Sequence, residues 1–220
     1  VTGLQNFRND ELIDINILAA PGQFHLPVIN EIIDIAETRQ DTISLVATPF
    51  DLSVNEIIDW HNGNYTAEAE VPMPPISALN SSYATLVYQW IRTYDSYNDV
   101  SVWTSSEGAH ASMMAFTDDV SEPWFAPAGL NRARPSWIED ITYSPRRDER
   151  ELLYGNPGTG QNAINPWVNF RAQGITLWGQ RTLQRAPTAL DRINVRRLLN
   201  VLKKTISTST RYLVFDPNDA

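Results

Sequence analysis

Two short isoleucine-rich runs, 12–20 (LIDINILAA) and 43–47 (ISLVA), constrain this chain more than any other feature. Each is too short to bury a helical face over several turns, and each stops at a breaker, Pro21 with Gly22 and then Pro49, as a buried strand does. Between them Ile29, Ile32, Ile33 and Ala36 recur at helical spacing, with Glu31, Asp34 and Glu37 on the remaining positions. Ser53 followed three residues later by Glu56 has the form of a capping box and opens a short helix through Ile57, Ile58 and Trp60 to Gly63. Strand, helix, strand, helix in that order predicts a mixed α/β fold. Its sheet is flanked by helices and has at least some parallel pairing, because a helix supplies the crossover that parallel strands need.

Further along, residues 64–77 (NYTAEAEVPMPPIS) read as a loop, 83–90 as helical, 100–103 as a strand and 109–116 as a helix. From 122 to 173 Pro, Gly and Arg accumulate without long periodicity, which predicts an irregular connecting region with short strands at most. Order returns over 174–183. A helix is expected from about 189 to 206, with Thr188 and Asp191 suited to its start, and 212–215 reads as a closing strand. The chain thus divides into an acidic α/β part (1–121), the irregular segment (122–173) and a strand-helix-strand unit (174–220).

On that last helix Val195, Leu198, Leu199, Leu202 and Ile206 fall within about 100° of one another and form the expected core face. Leu190, Ile193 and Val201 lie on another side, so burial on two faces is expected. Arg192, Arg196 and Lys203 fall within about 40°, with Arg197 and Lys204 further round. This basic stripe is a candidate contact for an acidic neighbour.

Charge is divided unevenly. Residues 1–130 hold 3 basic and 18 acidic side chains, and residues 131–220 hold 14 and 8. Such a chain can attract another copy head to tail, or match its own two halves internally. A sequence pI near 4.8 argues against nucleic-acid binding by the whole chain, and the seven Trp and eight Tyr are expected in cores and interfaces. No apolar run approaches the roughly 18 residues of a membrane span. The chain opens at Val1 rather than Met, which reads as a piece of a longer protein.

Enzymatic readings find little to stand on. With no cysteine there is no thiol nucleophile, thiolate metal site or disulfide. His25, His61 and His110 lack ligand spacing, no GxSxG elbow is present, and the acids are scattered. No catalytic, cofactor or metal residues are assigned. The segment GNPGTGQN, 155–162, has the glycine spacing of a phosphate-binding loop at Gly155, Gly158 and Gly160, but Gln161 and Asn162 stand where Lys and Ser or Thr would be needed. A degenerate P-loop ATPase is therefore the alternative reading.

Five segments in order carry a stronger signal: PWFAPAGLNRA (123–133), INPW (164–167), GITLWGQRTL (174–183), ALDRINVRRLL (189–199) and YLVFDPND (212–219). Together they resemble the contractile tail sheath proteins of phages and related injection machines, and ILAAPG resembles the start of that family's core. Two departures are Ala133, where the family usually has glycine, and the ending of INPW. The resemblance implies a structural, non-enzymatic subunit that needs no cofactor. Such a subunit stacks with copies of itself in helical rings around a tail tube and contracts to drive the tube through a cell envelope. Its further partners would be baseplate and tail terminator proteins, not nucleic acid or membrane. Its place would be the virion tail, after assembly in the host bacterial cytoplasm. Sheath proteins of this kind link neighbours through terminal arms. By the same resemblance these arms are not expected within residues 1–220, so the chain alone is expected to be monomeric.

Overall fold

In the computed structural model, residues 3–66, 78–155 and 162–215 are described. Most of the 64–77 loop, most of the glycine-rich 155–162 segment and the end of 212–219 lie outside them. The first elements follow the expected order: β1 (Ile17–Ala19), α1 (Leu26–Arg39), β2 (Ile43–Val46) and α2 (Val54–Asn62). β1 is shorter than the 12–20 run because only its last residues pair with β2. At α2 the capping box forms in both directions, with the Ser53 hydroxyl accepting from the Glu56 N–H and the Glu56 carboxylate accepting from the Ser53 N–H at 2.7 Å. Gly63 ends the helix at φ 76°, a conformation that glycine adopts without strain.

The expected helix at 83–90 is instead β3 (Ala84–Val87). All four of its residues are buried, because β3 lies inside a parallel sheet with neighbours on both sides. A strand buried on both faces reads as a continuous apolar run with no alternation. β4 (Ile91–Asp95) and β5 (Val100–Thr104) follow, then α3 (Glu107–Val120). The 122–173 stretch contains more order than expected: β6 (Ile138–Ile141), a two-turn helix α4 (Arg147–Tyr154), β7 (Ile164–Asn165) and β8 (Trp167–Phe170). β9 (Gly174–Leu177) and the long α5 (Ile193–Thr210) complete the order. Residues Arg211–Leu213 form a 3-10 turn, not the expected strand. Their side chains are exposed, and among the described residues no strand pairs with them.

The main sheet runs β1-β2-β3-β7, all parallel. One face is covered through Ile29, Ile57, Trp60 and Leu153 of α1, α2 and α4. The other face is covered by Met114 of α3 and Ile193 of α5, packed on Ile43 and Leu45. A separate three-stranded antiparallel sheet, β5-β4-β6, and the β8-β9 hairpin share a second core around Ile91, Met113, Ile141, Trp167 and Leu177. Ala133, the departure from the family pattern, is fully buried in that core, and its carbonyl accepts from the Leu177 N–H at 3.0 Å.

Candidate functional site

Two of the family-like segments meet at one junction. Asn165 of INPW is fully buried at the end of β7. Its amide nitrogen donates into a cluster made by Thr85 Oγ1 (2.9 Å), the Leu86 carbonyl (3.1 Å) and the Arg181 carbonyl (2.8 Å), and its Oδ1 accepts from the Arg181 N–H at 2.7 Å. One side chain thus pairs both backbone groups of Arg181, as a neighbouring strand would. Gly179 of WGQRTL is required by the same contact. A Cβ there would sit 2.6 Å from Asn165 Oδ1 and 3.0 Å from Asn165 Cα. The asparagine of one motif and the glycine of the other are two halves of one fit.

The Arg181 side chain, also fully buried, extends the junction. Its Nη1 donates to the carbonyls of Tyr154 (2.6 Å), Gly155 (3.3 Å) and Asn162 (3.1 Å). The guanidinium lies 5.7 Å from the centre of the Tyr154 ring and 3.9 Å from the Asp191 carboxylate. A cation on the last carbonyls of α4 opposes the negative end of its dipole, and the same group ties Gly155 to Asn162 across the glycine-rich segment. Burial lowers the Arg181 pKa from its ordinary value, and Asp191 acts in the opposite direction. Nearby, Gln89 holds the start of β8: its Oε1 accepts from the Trp167 N–H (2.8 Å) and its Nε2 donates to the Trp167 carbonyl (2.7 Å). Sequence reasoning found the motifs but not these roles. The available signal was polar residues, Asn165 and Gln89, set inside apolar segments, where burial demands partners.

The topology argues against the P-loop reading. A phosphate-binding loop follows a strand and opens a helix whose N-terminus faces the anion. Here the glycine segment follows the C-terminus of α4 and precedes the strand β7, so the helix end nearest to it carries the wrong sign of dipole. The strand order β1-β2-β3-β7 also runs in one direction without reversal. It therefore lacks the switch point at which open α/β sheets form a nucleotide crevice.

α5 is turned relative to the sequence expectation. The residues it buries are Ile193, Arg196, Arg197 and Asn200. Leu199, Leu202 and Ile206, expected in the core, are 42%, 46% and 60% exposed. The reason lies in what the helix covers. Arg196 lies 3.9 Å over the centre of the Tyr83 ring and donates to Ser82 Oγ, Arg197 donates to Asp118 at 2.6 Å, and Asn200 donates to the Thr42 carbonyl at 3.2 Å. That surface offers an aromatic face, a carboxylate and a carbonyl, which suit guanidinium and amide groups better than leucine. The five basic residues are thus not one free stripe. Arg192 meets the Tyr154 hydroxyl and Asp191, Lys203 meets Gln40, and Lys204 meets Asp14 and Asn16, while Arg196 and Arg197 are buried. Leu199→Asp, which a core position would not tolerate, is therefore expected to change the unfolding free energy by less than about 1 kcal/mol in urea titration. Loss of soluble folded protein would return this leucine to the core.

His61 and His110 are buried, and His25 lies at the N-cap of α1. Among the described residues no group of three or more His, Asp or Glu could hold a metal ion, and no helix is long and apolar enough to cross a membrane.

Comparison with known proteins agrees with this framework. No family model matches the chain. It is 35% identical over 193 residues to the tail sheath protein of Vibrio phage KVP40, covering 84% of this chain and 28% of that protein. It is 32% identical over 203 residues to the tail sheath protein of Enterobacteria phage T4, covering 88% and 29%. The chain thus spans less than a third of the length of these relatives. Among solved structures, its fold is similar to the contracted sheath of the extracellular contractile injection system PVC, with a TM-score of 0.70 at 21% identity over 94% of this chain and 51% of that one. It is also similar to the contracted helical sheath of the anti-feeding prophage, with a TM-score of 0.66 at 20% identity over 96% and 51%. With relatives this similar over more than four-fifths of its residues, the chain belongs to the family of contractile tail sheath proteins.

Proposed function

We propose that this chain acts as part of a sheath subunit that polymerises in helical rings around a tail tube and contracts to drive the tube through a cell envelope. The observation that carries this reading is the identity to phage tail sheath proteins across nearly the whole chain. Tube, baseplate and tail terminator proteins are the partners, and the virion tail, assembled in the host cytoplasm, is the setting. The output is motion, with no bond made or broken.

The architecture suits that work. A parallel sheet covered on both faces, with β7 pinned to the following segment by Asn165 and Arg181, can move as one body while contacts between copies repack. If contraction buried on the order of 500 Å² more apolar surface per subunit, the gross gain would be ~12 kcal/mol, reduced by the costs of association. Of the five basic residues, Arg192 at the N-cap of α5 and Lys203 within it remain accessible enough to meet an acidic tube or neighbour. Electron microscopy of the sheath polypeptide containing these residues is expected to show striped cylinders of two lengths. Cylinders of one fixed length under every condition would leave a static shell in place of a contractile one.

A further inference from the structure

The outer side of α5 carries a seam. Val195, Leu199, Leu202, Ile206 and Ser209 follow at steps of four, three, four and three residues, the spacing of a helix that meets a second helix along its length. The body-facing residues Ile193, Arg197 and Asn200 lie on the other side of the helix. None of the seam residues joins any of the four core clusters, and the apolar surface continues past the helix end through exposed Tyr212, Leu213 and Val214. Beyond Asn200 no residue of α5 is buried, while Thr and Ser, weak helix formers, make up most of its last turns. Packing on a partner is what ordinarily stabilises such a segment.

We propose that this seam docks an amphipathic helix with acidic flanks, supplied by the part of the sheath subunit that lies outside these residues. The inference rests on the sheath reading. The curated relatives match this chain over only 28–29% of their length and the solved sheath chains over about half, so sheath subunits carry ample further polypeptide. Charge decides against a second copy of α5 as the occupant. The helix holds four cations, Arg196, Arg197, Lys203 and Lys204, and no acid, so pairing it with itself sets like charge against like. An acidic flank would complement Lys203 beside the seam.

Amide hydrogen exchange read by mass spectrometry tests the proposal. Residues 198–210 are measured in the 220-residue chain, in the longer sheath polypeptide held as a monomer, and in assembled sheath. Exchange is expected to be fast in the first and slower by at least about 100-fold in the second. A Leu199→Glu, Ile206→Glu double variant is expected to keep the thermal midpoint of the 220-residue chain and to remove the protection in the longer one. Equal exchange in the short chain and the long monomer overturns the proposal. So does protection that appears only on assembly, which would assign the seam to a neighbouring subunit, or concentration-dependent dimerisation of the 220-residue chain that the double variant abolishes. Failure of the longer polypeptide to form cylinders, with α5 protected, would instead count against the sheath reading and leave the docking intact.

Discussion

Asn165→Ala is expected to lower the unfolding free energy by about 3–5 kcal/mol and the thermal midpoint by roughly 10 °C. The side chain is fully buried and bonds the N–H and carbonyl of Arg181 together with Thr85 and Leu86. Alanine leaves several of these groups unsatisfied in a fully buried site, and each orphan costs about 1–3 kcal/mol. Asn165→Asp keeps the shape but replaces a donor facing three oxygens with an acceptor, so it is expected to be at least as damaging. Gly179→Ala attacks the junction from the other side, since its methyl would meet Asn165 Oδ1 at 2.6 Å with main chain directly behind. Chemical denaturation of the three variants checks the set. If Asn165→Asp unfolds within about 1 kcal/mol of the parent, the hydrogen bonds are not what secures this junction and shape alone suffices.

Acid is expected to weaken the fold between about pH 6.5 and pH 4.5 through two histidines. Burial, followed by the positive charge of Arg185, lowers the His61 pKa to about 4, and burial, followed by Arg197, lowers that of His110 to about 3. Both lie below the ordinary value of 6.5, so the unfolded chain binds these protons first as pH falls. The neutral-histidine contribution is therefore fully present above about pH 6.5 and is lost progressively toward the folded-state values, on the order of 2 kcal/mol for each group by about pH 4.5. Glu107, buried with its pKa raised, acts with the opposite sign, which makes comparison with a variant the decisive measurement. Among the described residues His110 has no hydrogen-bond partner at either ring nitrogen, so His110→Met is expected to fold and to flatten the fall in stability over this range by about half. An unchanged pH dependence in that variant would remove His110 as a cause.

Much of the first sixty residues was legible in the sequence because their signals are local. The capping box of Ser53 and Glu56, the helical period of Ile29, Ile32 and Ala36 and the breaker after each strand act over a few residues, and they do so in almost any surroundings. β3 was misread because four consecutive buried residues have the same appearance in a helix and in a central strand. The difference is made by β2 and β7, 40 and 78 residues away along the chain in the pairs Val46–Leu86 and Leu86–Ile164. α4 was missed because only Leu153 of its eight residues is buried, so it has no apolar stripe to reveal it.

The family itself was legible because its motifs stand as contiguous words, and in the folded chain residues of two of those words fit one another, as Asn165 fits Gly179. What the sequence by itself determined was the alternation of elements, the absence of thiol chemistry and the membership those motifs imply. Only the tertiary structure decided which side of α5 faces the body. A helical wheel ranks faces by apolar content, but the surface beneath α5 is polar, with the Tyr83 ring, Asp118 and the Thr42 carbonyl arranged for arginine and asparagine. Burial follows complementarity with the opposing surface, and that surface is assembled from residues 79 to 158 positions away along the chain from the side chains it meets.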